Sequence, residues 1–333
     1  MHGPVWDLLL GWCWLPIALL VRSLEGNLDA VHRIVGVVFL ISFAHQPLTL
    51  GLVYGDPVQR AAHRRLYLWA PLVAAAAIVL GLNVGLGAVA LVAGLWNAEH
   101  TLMQRYGVLR IYGRKAGDQH GRIEKTMLVV WLVAALAFMA AFVDLDRMVR
   151  KIGFGGTNQR AVRLLAPFHD VAMFVFVGAA IAGVVLAVQW LRAERSLGRS
   201  ASRPKHLYAL GTLGLVVMVM IDPIAGIAGY VAAHAIEYFA VVHRSLRTRR
   251  DDSPVAAATR TTGRRALTYA LYFAAIAGIV VATWNVWDGR LYAFAVLFLG
   301  ALHILYDGFV WKLRRPAVAA SLGIPTTSLP ATA

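Results

Sequence analysis

The sequence predicts an all-α polytopic membrane helix bundle of about ten spans, N-in and C-in. Three observations predict it. Of the 333 residues, 59% are hydrophobic and only 15% are charged, whereas soluble domains run near a quarter charged. Continuous apolar runs of about 17–25 residues recur along most of the chain, the length a helix needs to cross a bilayer. They do not alternate in polarity, which excludes a transmembrane β-barrel. Third, the positive charge is sorted by loop.

In chain order the expected spans are 5–21, 34–54, 66–82, 84–104, 126–143, 165–190, 207–222, 224–243, 266–283 and 291–311. The first, around Trp6 to Leu20, lacks a basic leader and a small-residue cleavage site, so it reads as a retained span. Asn83 and the Asp222-Pro223 pair signal the two shortest loops. With the N-terminus inside, 24 of the 32 lysines and arginines fall on cytoplasmic segments, as the positive-inside rule requires. The basic loop around Arg147, Arg150 and Lys151 runs against that bias. Topology accounts for the net charge of +15, and no nucleic acid is expected as a partner. Residues 1–315 read as one transmembrane domain. The proline-dotted stretch 316–333 reads as a disordered cytoplasmic tail. The arginine-rich loop 244–265 is expected to be mobile. Gly-Phe-Gly-Gly at 153–156 lacks a following Lys-Ser/Thr and is not a phosphate loop.

Ionisable groups inside a span cost several kcal/mol unless paired, ligated or facing water. Four spans that all run outside to inside carry such groups late in their length: His45; Glu99 and His100; His234 and Glu237; His303 and Asp307. Their common depth suggests one metal centre in the cytoplasmic half of the bilayer. His234 and Glu237 share a helix face, as do His303 and Asp307. Gln104 and His243 are possible additional ligands, and Pro47 is placed to open the helix beside His45. Imidazole with carboxylate suits iron, zinc or manganese. The single cysteine, Cys13, offers neither a disulfide nor a thiolate site. Seven candidates suffice for two ions; a single ion would leave some of them holding the ligands in place.

Each group also has a plainer reading. A lone span histidine is commonly a helix–helix hydrogen bond. Glu99 has Arg105 nearby in sequence, and Asp307 has Lys312 and Arg314. His169-Asp170 reads as a structural pair, and His32, His63, His120 and His206 as solvated. Tyr106, Tyr112, Trp69 and Trp311 read as interface aromatics.

His45, His100, His234, His243 and His303 give the chain a loose similarity to the histidine-rich integral-membrane di-iron oxygenases: the fatty-acid desaturases, hydroxylases and alkane hydroxylases. The dense histidine boxes of that family are absent here. The resemblance implies two irons, oxygen activation, a lipidic or small organic substrate, and electrons from a separate electron-donor protein. Segments 99–107 and 303–312 are similar to signatures of poorly characterised bacterial membrane proteins, which implies a bacterial plasma membrane. Two other classes fit the same residues. Paired histidines at one depth suit haem and electron transfer. A His/Glu relay beside Asp222-Pro223 suits a proton- or metal-coupled transporter. A scaffold whose polar residues only join helices is the fourth reading.

Overall fold

In the computed structural model, residues 3–84, 86–151, 166–248, 253–284 and 290–325 are described. Among them the chain is helical, with no strand. In order the helices are α1 (Pro4–Trp12), α2 (Trp14–Ser23), α3 (Leu28–Tyr54), α4 (Pro57–Ala62) and α5 (Arg64–Val84). Then come α6 (Leu86–Lys115), α7 (Gly121–Phe142), α8 (Leu145–Lys151), α9 (His169–Ser196) and α10 (Arg203–Ile221). The last five are α11 (Pro223–Thr248), α12 (Pro254–Thr259), α13 (Thr262–Trp284), α14 (Arg290–Val310) and α15 (Pro316–Ser321).

Among the described residues, helix α3 and helices α5, α7, α9, α10, α11, α13 and α14 make eight that are long and apolar enough to cross a membrane. Helices α1 and α2 together form a further apolar element bent by 43°. Pro16 accounts for that bend, because it has no N–H for the carbonyl of Trp12. The expected span 84–104 is the start of the 30-residue α6, whose Asn97, Glu99 and His100 make it less apolar than the eight. Side chains such as Phe174 (73% exposed) and Val281 (75%) face outward. Apolar surface of this extent needs lipid rather than water around it.

Helix starts follow one local rule. Asp56-Pro57, Ser253-Pro254 and Asp222-Pro223 each place a capping side chain before a proline at the first helical position. The cap accepts the free N–H groups of the first turn, where proline has none to lose. Asn83 lies inside the last turn of α5, its amide donating to the carbonyl of Val79. Helix α3 continues through Pro47, and Tyr272 donates its hydroxyl to the carbonyl of Ala44.

The chain divides into two compact units. Unit 1 comprises Met1–Phe39 and Ala90–Glu237; unit 2 comprises Leu40–Val89 and Tyr238–Ala333. In unit 1, α9 packs along α7, and α10 packs on both α1 and α7. Its core joins Trp14, Ala18 and Val21 to Leu215, Ala225 and Ala228. In unit 2, α14 packs on α5 and α13. Its core gathers Leu52, Tyr67, Tyr238, Val242, Leu302 and Tyr306.

The expected disordered tail begins with order. Helix α15 is held by bonds from Arg244 Nε to the carbonyl of Leu322 (3.2 Å) and from Thr248 to that of Ser321 (2.7 Å). Ala319 and Leu322 are buried, which supplies the apolar contact that composition alone understates. Residues 326–333 lie outside the described set, as do 249–252 of the loop expected to be mobile and Gly-Phe-Gly-Gly at 153–156. Around 249–252, α11 reaches Thr248 and α12 forms over Pro254–Thr259.

Candidate metal centre

The seven predicted ligands are not arranged alike. In unit 2, α3 carries His45 and α14 carries His303 and Asp307, all buried. His45 Nε2 faces His303 Nε2 at 3.1 Å. On the far side of the His303 ring, Nδ1 lies 2.7 Å from Thr49 Oγ1. Thr49 donates to Asp307 Oδ1 at 3.0 Å, and Tyr238 donates to the same oxygen at 2.9 Å. The Thr49 hydroxyl also meets that of Tyr238. Asp307 Oδ2 sits 3.8 Å from His303 Nε2. Trp311 Nε1 reaches the Tyr238 hydroxyl at 3.5 Å.

Proton bookkeeping follows from this order. Thr49 gives its proton to the carboxylate, so its oxygen accepts from His303 Nδ1–H. That tautomer leaves the His303 Nε2 lone pair aimed at His45. His45 Nε2 and His303 Nε2 then face each other, with Asp307 Oδ2 3.8 Å from the second. Donor atoms each about 2.1 Å from one ion lie roughly 3 Å apart at usual coordination angles, so the imidazole pair has the spacing for one ion. The donor set suits iron, zinc or manganese. Thr49 and Asp307 form the kind of outer support that orients a ligating imidazole.

In unit 1, His100 of α6 and His234 of α11 are buried, with ring centroids 5.1 Å apart and planes near perpendicular. Glu99, one residue away, is exposed, as the 100° step of a helix requires. Glu237 is fully buried and paired with Arg105 Nη1 at 2.7 Å. Arg105 also donates to Thr212 Oγ1 (3.0 Å) and the carbonyl of Gly11 (3.3 Å), and lies over the Tyr208 ring. The cation placed nearest to Glu99 by sequence therefore serves Glu237. Gln104 donates to the carbonyl of His234 at 2.9 Å and to Glu237 Oε2 at 3.4 Å, so it braces this helix pair. His243, in unit 2, bonds through Nδ1 to the Tyr269 hydroxyl at 3.0 Å.

Unit 1 also holds an ion cluster that sequence reasoning missed. Asp118, Glu124 and Glu194 are buried with carboxylate oxygens close together. Their centre is taken by Lys205, whose ammonium pairs with all three. Arg110 adds bonds to Asp118 (2.6 Å) and Glu124 (2.7 Å). At the rim, His120 and His206 each contact Glu194, at 3.1 and 2.8 Å. The sequence reads Arg105, Arg110 and Lys205 as loop charges for topology, and the fold buries all three. The signal available was acidic Asp118 and Glu124 inside a basic loop. Burial opposes ionisation of Asp118, but hydrogen bonds and charge from Arg110 and Lys205 outweigh it and hold the carboxyl below its ordinary value.

Tyr112, read as an interface aromatic, is buried and donates to Asp7 at 2.7 Å. His32 and His63 are bonded too, to the carbonyl of Lys151 and to Arg315. His169 and Asp170 do pair with each other, exposed. Thr49 and Tyr238 are the polar partners that sequence did not single out. Thr49 was legible as one helical turn beyond His45, and Tyr238 as one turn beyond His234.

No protein family, curated protein or solved structure matches this chain. The functional reading rests on these residues.

Proposed function

We propose that this protein is an integral-membrane, metal-dependent oxidoreductase acting on a lipidic or small organic substrate. The reading includes ten spans with both termini cytoplasmic. It is supported by helix at each of the ten expected stretches and by the sorting of charge between loops. The observation that carries the function is the His45–His303 pair at 3.1 Å with Thr49 and Asp307 behind it. His45 Nε2 and His303 Nε2 would hold one iron, with the Asp307 carboxylate beside His303. His100 and His234 are the candidates for a second.

Iron in such a site supplies dioxygen activation and hydrogen abstraction from the substrate. The chain's own part is to orient and to manage protons. Thr49 fixes the His303 tautomer, and Asp307 anchors the hydroxyls of Thr49 and Tyr238. Tyr238 can pass its proton to Asp307 over 2.9 Å. Leu52, Val242 and Leu302 keep the surroundings apolar, which excludes water and strengthens each polar contact. Electrons come from a separate donor protein.

The test is iron content and visible spectrum of the detergent-purified protein beside a His45→Ala/His303→Ala variant. Iron bound in stoichiometric amount, lost in a variant that still elutes as a folded species and without a Soret band, supports the reading. A Soret band would replace it with haem electron transfer. No metal after reconstitution would overturn the ligand assignment in favour of a transporter.

A further inference from the structure

We propose that unit 1 carries a binding site for an amine-bearing phospholipid, a diacyl phosphoethanolamine headgroup lipid. The site is a cleft of about 480 Å³ where α2, α7 and α10 end and α8 and α11 begin, within the range of small-molecule sites. Six charged side chains line it: Arg22, Arg147 and Lys151 against Glu25, Asp144 and Asp222. A ligand of one sign meets as much repulsion as attraction among them. A zwitterion can satisfy both.

Asp222 is the second, independent observation. It is only 7% exposed. Its Oδ1 accepts the N–H of Ala225 at 3.1 Å as the cap of α11. Its Oδ2 is buried and receives no hydrogen bond among the described residues. The cation paired with it, Arg22 Nη1, is 4.0 Å away, beyond hydrogen-bond reach. A buried carboxylate oxygen lacking a donor is costly, and a primary ammonium supplies N–H donors and a charge. Arg147 and Lys151 are four residues apart on α8, so they share a face and can take a phosphate together. Asp144 accepts the N–H of Arg147 at 2.9 Å and so caps that short helix. Asp146 and Arg150 pair with each other.

The cleft is floored by Phe138, Phe142 and Ile221. Met148 and Ile224 continue it into a narrow apolar groove with Val35, Val38, Ile227 and Val231. That groove has room for only about 20 Å³, so the headgroup occupies the cleft and its acyl chains stay in the surrounding lipid. Phe142 and Ile221 are the last residues of two candidate spans, the level at which lipid headgroups lie.

The test is native mass spectrometry of the full chain from mixed micelles holding equal phosphatidylethanolamine, phosphatidylcholine and phosphatidylglycerol of one acyl composition. The ethanolamine lipid should be retained at least tenfold over the choline lipid, whose quaternary ammonium has no N–H. Asp222→Asn keeps the Oδ1 cap and should reduce that preference to within twofold. Arg147→Ala/Lys151→Ala should lower retention of both zwitterionic lipids. Equal retention by the wild-type protein, or a preference that survives Asp222→Asn, overturns the proposal. So does competition by water-soluble glycerophosphoethanolamine as strong as that by the lipid. If Asp222→Asn does not fold, the wild-type ratio and the Arg147→Ala/Lys151→Ala variant decide.

Discussion

At Lys205 an ammonium is enclosed by three carboxylates and buried completely. Removing one partner of such a cluster leaves charge uncompensated in the interior. Lys205→Met is expected to cost about 3–5 kcal/mol, read as a lowered melting temperature in detergent. Arg150→Ala, which breaks an exposed pair with Asp146, should cost less than about 1 kcal/mol. The same cluster sets a pH dependence. Asp118 titrates below its ordinary 3.8 in the folded chain, so the unfolded chain binds the proton more readily. Its contribution is therefore complete above that ordinary value and is lost as pH falls through the lower folded value. A melting series from pH 6 downward should show this acid loss, and Lys205→Met should blunt it. In unit 2, Thr49→Val removes the hydroxyl between His303 and Asp307 while keeping volume. Metal affinity should fall roughly 10–100-fold with the visible spectrum and elution otherwise near wild type; an unchanged metal titration would remove Thr49 from the site. His45, His303 and Asp307 were readable as candidates because ionisable groups in apolar runs are rare. Their partners were not, because threonine and tyrosine are unremarkable in a span until a fold places them opposite something.

Where α10 turns into α11, the two backbones come close at Gly226. A Cβ at Gly226 would overlap the backbone of Val219. At Gly211 it would overlap the carbonyl of Gly11, where α1 crosses α10. Gly226→Ala is expected to destabilise by about 1–3 kcal/mol through overpacking. Gly107→Ala, with nothing within 4 Å of the added carbon, should be neutral or stabilising by up to ~1 kcal/mol. Thermal melts of the two single variants separate close approach from helix propensity. Helix existence was legible from apolar run length, and the start at Pro223 from the Asp222-Pro223 pair; the short helices at Pro57 and Pro254 fall in stretches that read as loops. The order of α15 was not, because Ala319 and Leu322 gain their burial only from residues distant in sequence.

At the scale of the whole chain, the reading of both termini as cytoplasmic predicts that reporter fusions at the N-terminus and after Arg315 are both inside. A fusion at Arg290 is expected outside. A different pattern would overturn the ten-span topology while leaving the local contacts of each unit untouched. The amino-acid sequence by itself determined that this is a helical protein with spans long enough for a membrane. It also marked where ionisable groups interrupt those spans. Both follow from composition and one-dimensional period, since bilayer thickness and the 100° helical step act locally. Only the tertiary structure decided which charges are partners. Arg105 went to Glu237 rather than to Glu99 six residues before it, and Lys205 to Asp118, Glu124 and Glu194. His45 was brought to His303 from 258 residues away. Pairing inside an apolar interior is chosen by distance and desolvation, and neither quantity is written along the chain.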